Sequence, residues 1–419
     1  MDSTRIVAKM VVMAVCMALL APALSHAGPK VVIKPSISTS VRYDDNYYEA
    51  EDRERPVYTY RVSPGVEVGY QTARTQITAD YTLRLHWYDD ADDLQVNSQT
   101  GKLEAPASDA DFVGHRGVLD IRTKPLDRIT LMLNENYLRT REAGQADKFS
   151  NSTSRAEYYV NRISPGIAYE WGRRFTTQAR YQSERLGYVD DSGEDSVEHR
   201  GMFDFIYHIT PKSSLDMEYQ IWARNYEATS SDYLSNRLAA IYRHQINHFG
   251  IEASTGYHRR DFDDTGVEDD DTFAWSLSLV GQNPSRPNTA RSWFELTAAQ
   301  DYNDIGTGNE YFKASRLSLS GGHTFVRKFM VGLDMSYQRS NYLNLYGVSD
   351  YNPNVLIERE DDTYRVAGKL GYRPLDWLFL NLESGYETRE SNWAGRDYDN
   401  AFVETTIGLA YNLGDSIDM

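Results

Sequence analysis

Hydrophobic and polar residues alternate along most of this chain. Residues 62–88 read VSPGVEVGYQTARTQITADYTLRLHWY, and from Ile77 to Trp87 every second residue is apolar. The residues between are threonine, aspartate, arginine and histidine. Successive side chains on a β-strand point to opposite faces of the sheet. The segment therefore predicts a β-hairpin with one apolar face and one charged face.

The same alternation continues to the end of the chain and predicts about eighteen strands. Most are roughly 9–16 residues long, the length that a tilted membrane-spanning strand needs. No linker or change of composition divides residues 28–419, so we predict one domain there. The strands are predicted near residues 31–43, 57–70, 75–88, 112–123, 128–138, 156–171, 175–188, 196–209, 214–226, 233–243, 250–260, 272–281, 291–302, 312–322, 329–338, 363–373, 377–386 and 400–413.

Short and long connections alternate between these strands. One set is made of short turns, such as 72–74 and 172–174, with a longer member at 282–290. The other set is longer and acidic, and it includes 89–111, 139–155 and 339–362. Short turns at one end and long loops at the other are typical of outer-membrane β-barrels, whose long loops lie outside the cell. Pro64 and Pro165 fall inside strands and predict β-bulges, because proline cannot donate to the strand ladder.

The two faces of the strands predict what surrounds the sheet. One face is apolar, as in Phe203, Phe205, Tyr207 and Ile209. We predict that lipid covers it and that water fills the inside, which makes the fold an all-β, transmembrane, antiparallel up-and-down barrel. A soluble all-β protein would also alternate and is the competing reading. The opposite face predicts these pore-lining residues: Arg84, Arg116, Asp120, Arg180, Asp204, Asp216, Glu218, Trp222, Arg224, Glu252, Trp293, Glu295, Arg316, Asp334, Arg365, Lys369 and Glu383.

Residues 1–27 differ from the rest of the chain and predict a signal peptide. Arg5 and Lys9 precede an apolar run at 10–24, and Ser25-His26-Ala27 resembles a cleavage site. The run is too short for a comfortable membrane-spanning helix, which needs about twenty residues. Cleavage after Ala27 would remove Cys16, the one cysteine of the chain. We therefore expect export to the outer membrane of a Gram-negative cell, without disulfides.

The charge of the chain argues against one class of partner. The formal net charge is −17 at pH 7. Nucleic acids need a basic surface, so we expect no nucleic-acid partner. The partners that a barrel of this kind predicts are outer-membrane lipid and lipopolysaccharide.

Motifs for catalysis are missing from the sequence. It has no phosphate-binding or dinucleotide-binding glycine pattern, no GxSxG and no HExxH, so we expect neither an enzyme nor a cofactor. Asp261, Asp263 and Thr265 match the first half of a calcium loop, although Thr272 stands where such a loop has its bidentate glutamate. A solvated acidic loop is the competing reading of that segment.

The last predicted strand carries a spaced pattern of its own. Thr406, Gly408, Tyr411 and Leu413 occupy the polar, glycine, aromatic and terminal apolar positions of a pattern that resembles the C-terminal signal of outer-membrane barrels. That resemblance implies recognition by the barrel-assembly machinery. Six residues follow Leu413, which departs from the commonest form of the signal.

The N-terminal strand and first loop resemble a known family. Residues 35–46 read PSISTSVRYDDN and lead into Ser63-Pro64-Gly65, which is similar to the beta-barrel porin-2 family over residues 35–88. The resemblance implies an outer-membrane channel, a passive conduit for polar solutes. It also implies a conduit for an exported exopolysaccharide, with polysaccharide and periplasmic export proteins as partners. A closed structural or adhesive barrel acting through its loops and a general nutrient porin are the alternatives.

Overall fold

The computed structural model describes most of the chain after residue 28. The described residues are 29–52, 54–92, 105–142, 144–145, 147–150, 152–190, 193–264, 267–283, 291–304, 310–326, 328–348, 355–411 and 413–414. The predicted signal peptide and Thr265 lie outside them, and both interpretations stay predictions.

Eighteen long antiparallel strands form one sheet, as the alternation predicts. Each strand pairs with its neighbours in sequence, which is the up-and-down topology. A two-residue strand, β19, follows them at Leu413–Gly414. The long strands are β1 Lys30–Asp44, β2 Val57–Gln71, β3 Thr75–Asp90, β4 Phe112–Leu126, β5 Ile129–Thr140, β6 Tyr158–Glu170, β7 Phe175–Tyr188, β8 Ser196–Thr210, β9 Ser213–Tyr226, β10 Tyr233–Ile246, β11 Phe249–Phe262, β12 Asp270–Asn283, β13 Ser292–Tyr302, β14 Phe312–Phe325, β15 Phe329–Val348, β16 Leu356–Leu375, β17 Leu378–Ser391 and β18 Tyr398–Ala410.

The sheet closes on itself by pairing its first and last long strands. The register of β1 with β18 runs from Ser36 opposite Ala410 to Asp44 opposite Phe402. Closure leaves no strand of the barrel with an unpaired edge. The predicted all-β barrel is therefore confirmed. A soluble β-sandwich, one form of the competing all-β interpretation, is excluded because it needs two packed sheets.

The two faces of the barrel wall differ in chemistry. In β8, Phe203, Phe205 and Ile209 are exposed, whereas Asp204 between them is buried. Side chains of the charged face reach loop atoms inside the barrel: Arg200 of β8, for example, contacts Asp304 in the β13–β14 loop. The apolar face is thus outside, and the charged face lines the lumen.

Helical structure is almost absent from the described chain. One 3₁₀ turn, Ala107–Ala110, lies in the β3–β4 loop. No helix of the described residues is long and apolar enough to cross a membrane.

Two local expectations are wrong. Residues 339–362 are not all loop, because β15 and β16 extend to twenty residues each and pair to Val348 opposite Leu356. Their ladder shifts register between Asn341 and Tyr346. Pro64 and Pro165 do not make bulges. The register of the strand pair is the same on both sides of each proline, and only the proline and the residue before it are unpaired with the next strand. Proline removes one donor there without inserting a residue.

Candidate functional site: the barrel lumen

The residues predicted to line a pore share one face of the wall. The pairing registers place all seventeen on the charged, inward face, including Trp222 opposite Arg200 and Ser235. A cross-strand network joins four of them, since Lys369 contacts Asp334 (2.5 Å) and Glu383 (3.8 Å), and Arg365 contacts Glu383 (3.7 Å). Their role as the lining of a conducting pore stays a prediction.

Buried charged side chains pack together on the inner face of strands β6 to β9, which we call the packed sector. Arg224 is fully buried between Glu184 (2.7 Å) and Glu198 (2.9 Å) and donates to Ser196 Oγ (3.0 Å). Arg162 forms a second pair with Glu184. Burying a charge costs free energy unless it is paired and hydrogen-bonded. Nη1 and Nη2 of Arg224 have such partners, whereas its Nε has none among the described residues.

The described residues of the loop between β5 and β6 (141–142, 144–145, 147–150 and 152–157) cross the lumen, and we call this loop the crossing loop. Its Phe149 ring packs against Ala299, Phe312, Ala314 and Tyr342 on β13–β15, nearly opposite the loop's own strands in the barrel. The crossing loop therefore divides the lumen.

Backbone atoms of the crossing loop are also held on the far wall. Gln338 Nε2 donates to the Phe149 carbonyl (2.8 Å), and Arg316 Nη1 donates to the Lys148 carbonyl (3.0 Å). A third contact joins the loop to the β13–β14 loop, because the Asp304 N–H donates to Asp147 Oδ2 (2.7 Å). These bonds fix the loop tip across the barrel.

Beside strands β1 to β3 and β14 to β18, a cavity of about 330 Å³ remains, which we call the open sector. Side chains of both charge signs line it. The cations are Arg42, Arg61, Arg155, Arg316 and Arg365, and the anions are Asp44, Glu49, Glu142, Glu387 and Glu404. Few nonpolar side chains line the cavity, so it is suited to water and polar solutes.

Most of these charges are paired along the wall. Arg61 contacts Glu404 (2.5 Å) and Glu142 (3.6 Å), and Arg365 contacts Glu387 (3.2 Å). Arg316 differs from them, because no carboxylate of the described residues lies within 4.0 Å of it. Its guanidinium is held by a backbone carbonyl instead, so its charge is the least compensated in the open sector.

Two loop carboxyl groups have shifted pKa values. Burial raises the pKa of the Glu49 carboxyl, and the Arg155 guanidinium 2.6 Å away opposes this rise only in part. Burial would also raise the pKa of Asp304, but Arg200 and Arg260 outweigh it and hold that pKa below its ordinary value. Asp304 therefore stays ionised in the lumen.

Sequence reasoning missed part of the lining of the open sector. Arg42 and Arg61 lie on predicted strands and alternate with apolar residues, so the pattern could have found them. Arg155 and Phe149 belong to a segment that the sequence predicts as an outer loop. Nothing in the alternation indicates that this loop turns inward.

The other predicted site residues have ordinary surroundings in the described chain. Asp261 pairs with Arg259 (2.6 Å), and the described residues contain no group of three or more acidic, histidine or cysteine side chains that could hold a metal. Thr406 and Gly408 lie opposite Ser40 and Ser38 on the closing strand, and Leu413 pairs with Ile33. The assembly signal stays a prediction.

Comparisons with known proteins found likeness in structure only. No family model and no curated protein matches the chain, so the resemblance to the beta-barrel porin-2 family has no support from them. Solved structures similar to the barrel include OccAB2 of Acinetobacter baumannii (12% identity, 91% of this chain and 98% of that chain, TM-score 0.47). Another is the outer membrane protein OpdK of Pseudomonas aeruginosa (10% identity, 91% and 99%, TM-score 0.48). The barrel described above rests on its own strand pairing and does not depend on this likeness.

Proposed function

We propose that this chain is an outer-membrane channel that passes small polar solutes through the open sector. The observation that carries the proposal is a closed barrel with an apolar outer face, a charged inner face and a cavity beside the crossing loop. Only a structure that pairs all its backbone groups internally can cross a bilayer, and a closed barrel does so. The long loops then face outward and the short turns face the periplasm.

The volume and charge of the open sector limit the solute. A cavity of about 330 Å³ is near the lower end of the range of pockets for small organic molecules. Because the lining carries both signs of charge, neutral and zwitterionic polar molecules fit it better than strongly charged ones. The crossing loop makes this passage much narrower than the whole barrel.

Conductance of the purified protein in a planar bilayer tests the proposal. We expect steady single-channel steps, and we expect liposomes containing the protein to swell in small sugars more than in large oligosaccharides. The matched control is Phe149→Leu, which keeps an apolar side chain in the contact between the crossing loop and the far wall and should show the same conductance steps. Absence of steps above the background of empty bilayers would contradict a channel.

A closed barrel is the second candidate function, and the packed sector favours it. Arg224, Glu184 and Glu198 seal that part of the lumen with paired charges. A barrel sealed in the open sector as well would act through its loops on partners outside the cell. Silent bilayers, together with correctly folded protein, are the result that this candidate predicts.

The finer prediction, export of an exopolysaccharide, rests on the sequence resemblance alone. A polymer has to thread the lumen as a continuous chain, and the crossing loop obstructs such a path. Loss of secreted polysaccharide in a deletion strain would support export. Normal secretion together with measured conductance would leave the small-solute channel as the function.

A further inference from the structure

A second, smaller cavity lies on the other side of the crossing loop. Its volume is about 200 Å³, and strands β8 to β13 form its wall. Lys148 and Phe149 of the crossing loop and Asp304 of the β13–β14 loop complete its lining. This cavity is separate from the open sector, and Trp222 is the one residue of its lining that the sequence predicts as a pore-lining residue.

Four polar groups in the lining have no hydrogen-bond partner among the described residues: Trp222 Nε1, His258 Nε2, Arg237 Nε and Tyr302 Oη. The Asp270 carboxyl interacts with the Tyr302 hydroxyl, so the three nitrogen atoms are the groups left for an occupant. Trp222 and His258 are each only 2% exposed. A buried polar group without a partner is destabilising, and nearly all such groups in folded proteins are satisfied by protein, water or ligand. Three in one cavity indicate a polar occupant.

Contacts within the wall fix how these groups are oriented. The Trp222 ring packs 4.8 Å from the His258 ring, and the Arg200 guanidinium covers the Trp222 ring at 4.1 Å. The Arg237 Nε atom is 3.7 Å from Asp301 Oδ2, which is too far for a hydrogen bond. Trp222 and Arg237 therefore keep an N–H donor free for an acceptor in the cavity.

The protonation state of His258 determines which kind of acceptor fits the cavity. Its Nδ1 lies 2.5 Å from Asp301 Oδ1, and an ionised carboxylate only accepts, so Nδ1 carries a proton. In the neutral ring Nε2 is then a bare acceptor, and in the protonated ring it is a third donor.

The charges that face His258 determine whether its ring is neutral or protonated when an occupant is bound. The cations are Arg200 on β8, Arg237 on β10, Arg260 on its own strand and Lys148 of the crossing loop. The anions are Asp301 on β13 and Asp304 in the β13–β14 loop, and Tyr302 is a further titratable group. Thr272, opposite on β12, is uncharged. Asp304 is paired with Arg200 (3.2 Å), and Asp301 is shared by Arg237 and His258, so neither carboxylate is left to balance a further cation. An additional anion in the cavity would balance protonated His258.

We propose that this cavity binds a small oxyanion, such as a carboxylate, together with one proton that His258 Nε2 takes up. Trp222 Nε1, Arg237 Nε and protonated His258 then donate to the oxygens of the anion, and each of the three buried groups gains a partner. The inference does not depend on whether the open sector conducts.

Isothermal titration of the full-length barrel in detergent tests this site. Acetate and nitrate are the probes, each titrated at one pH into two buffers that differ in ionisation enthalpy, with glucose as a neutral, hydroxylated probe. We expect binding of one anion with uptake of about one proton, because one imidazole changes its protonation state. Binding of both probes indicates a general oxyanion site, and binding of acetate alone indicates a carboxylate site.

Matched variants identify the residues. Trp222→Phe keeps a ring beside His258 and removes the N–H, so acetate should bind roughly tenfold more weakly, as expected for loss of one hydrogen bond to a charged group. His258→Gln should abolish the proton uptake. Trp293→Phe, on the same inward face but outside this cavity, is the control and should change neither.

Other outcomes overturn the proposal. Absence of binding heat with both anions means that water alone fills the cavity. Anion binding without proton uptake removes the role of His258, and binding of glucose in place of the anions assigns the cavity to a hydroxylated solute. Conductance of the same preparation is measured separately, so a failed channel and a failed anion site are distinguished.

Discussion

The carbonyl oxygen of Phe149 accepts a 2.8 Å hydrogen bond from Gln338 Nε2 across the lumen. One residue belongs to the crossing loop and the other to β15, on the far wall. Gln338 is held in turn by Ser340, whose Oγ lies 3.1 Å from the same nitrogen. This bond and the Phe149 ring determine how wide the open sector is.

The crossing loop should therefore control conductance. Phe149→Ala removes a buried ring whose contacts are typically worth about 3–5 kcal/mol in a protein core. We expect larger and noisier single-channel currents, because the loop tip loses its packing contact with β13–β15. Unchanged currents in Phe149→Ala relative to Phe149→Leu would mean that the loop does not limit the passage.

Arg316 should set the charge preference of the passage. We expect Arg316→Gln to shift the reversal potential in a salt gradient towards cation preference, because it removes the least compensated positive charge. Arg259→Gln is the control, since Arg259 lies on the outer face of β11. An equal shift in both variants would contradict a lumen effect.

The buried network of the packed sector should support stability. Arg224→Gln leaves Glu184 and Glu198 with one partner fewer, and breaking a buried ion pair costs about 3–5 kcal/mol. Unfolding in urea measures the loss. Arg74→Gln, which breaks an exposed pair with Asp127, should cost about 1 kcal/mol or less. Similar losses in the two variants would mean that the network contributes little.

Gly408 should be required for packing as well as for any assembly signal. A Cβ atom at Gly408 would meet the Phe379 ring, whereas a Cβ at Gly368 would meet nothing within 4 Å. We expect Gly408→Ala to cost about 1–3 kcal/mol by overpacking and Gly368→Ala to be nearly neutral.

The double variant Gly408→Ala with Phe379→Ala separates the two roles of Gly408. Restored folding yield in the double variant attributes the defect to the ring. A persistent defect attributes it to recognition of the strand during assembly.

A charged side chain on the outer face of β15 should destabilise the protein in a bilayer. Leu333 is exposed on that face, and an arginine near the middle of a bilayer costs about 2–4 kcal/mol on the lipid side of a barrel. We therefore expect Leu333→Arg to lower stability in lipid bilayers. Ser336→Arg places the same group on the inner face of the same strand and should be tolerated better. Equal tolerance would contradict a lipid-facing surface.

The sequence determines the wall of the barrel more fully than its interior. Alternation assigns successive residues, such as Phe203 and Asp204, to opposite faces, because each strand has one face in lipid and one in the lumen. The position of Phe149 could not be found this way, since its seat on β13–β15 depends on residues that are distant in sequence. The alternation placed Trp222 on the inner face, but it could not show the cavity that Trp222 shares with His258, because that cavity forms only where the crossing loop meets the wall. The twenty-residue length of β15 and β16 was also missed, because Asn341 and Asp361 read as loop residues.

The pairing of Ser36 with Ala410 has a consequence for biogenesis. Strand β1 meets its partner β18 only after all the strands between them have been made. Until then both margins of the growing sheet expose free amide and carbonyl groups, which invite aggregation with other chains. Correct production of this protein therefore requires that something shield those margins, and overproduction beyond that shielding capacity should yield insoluble deposits.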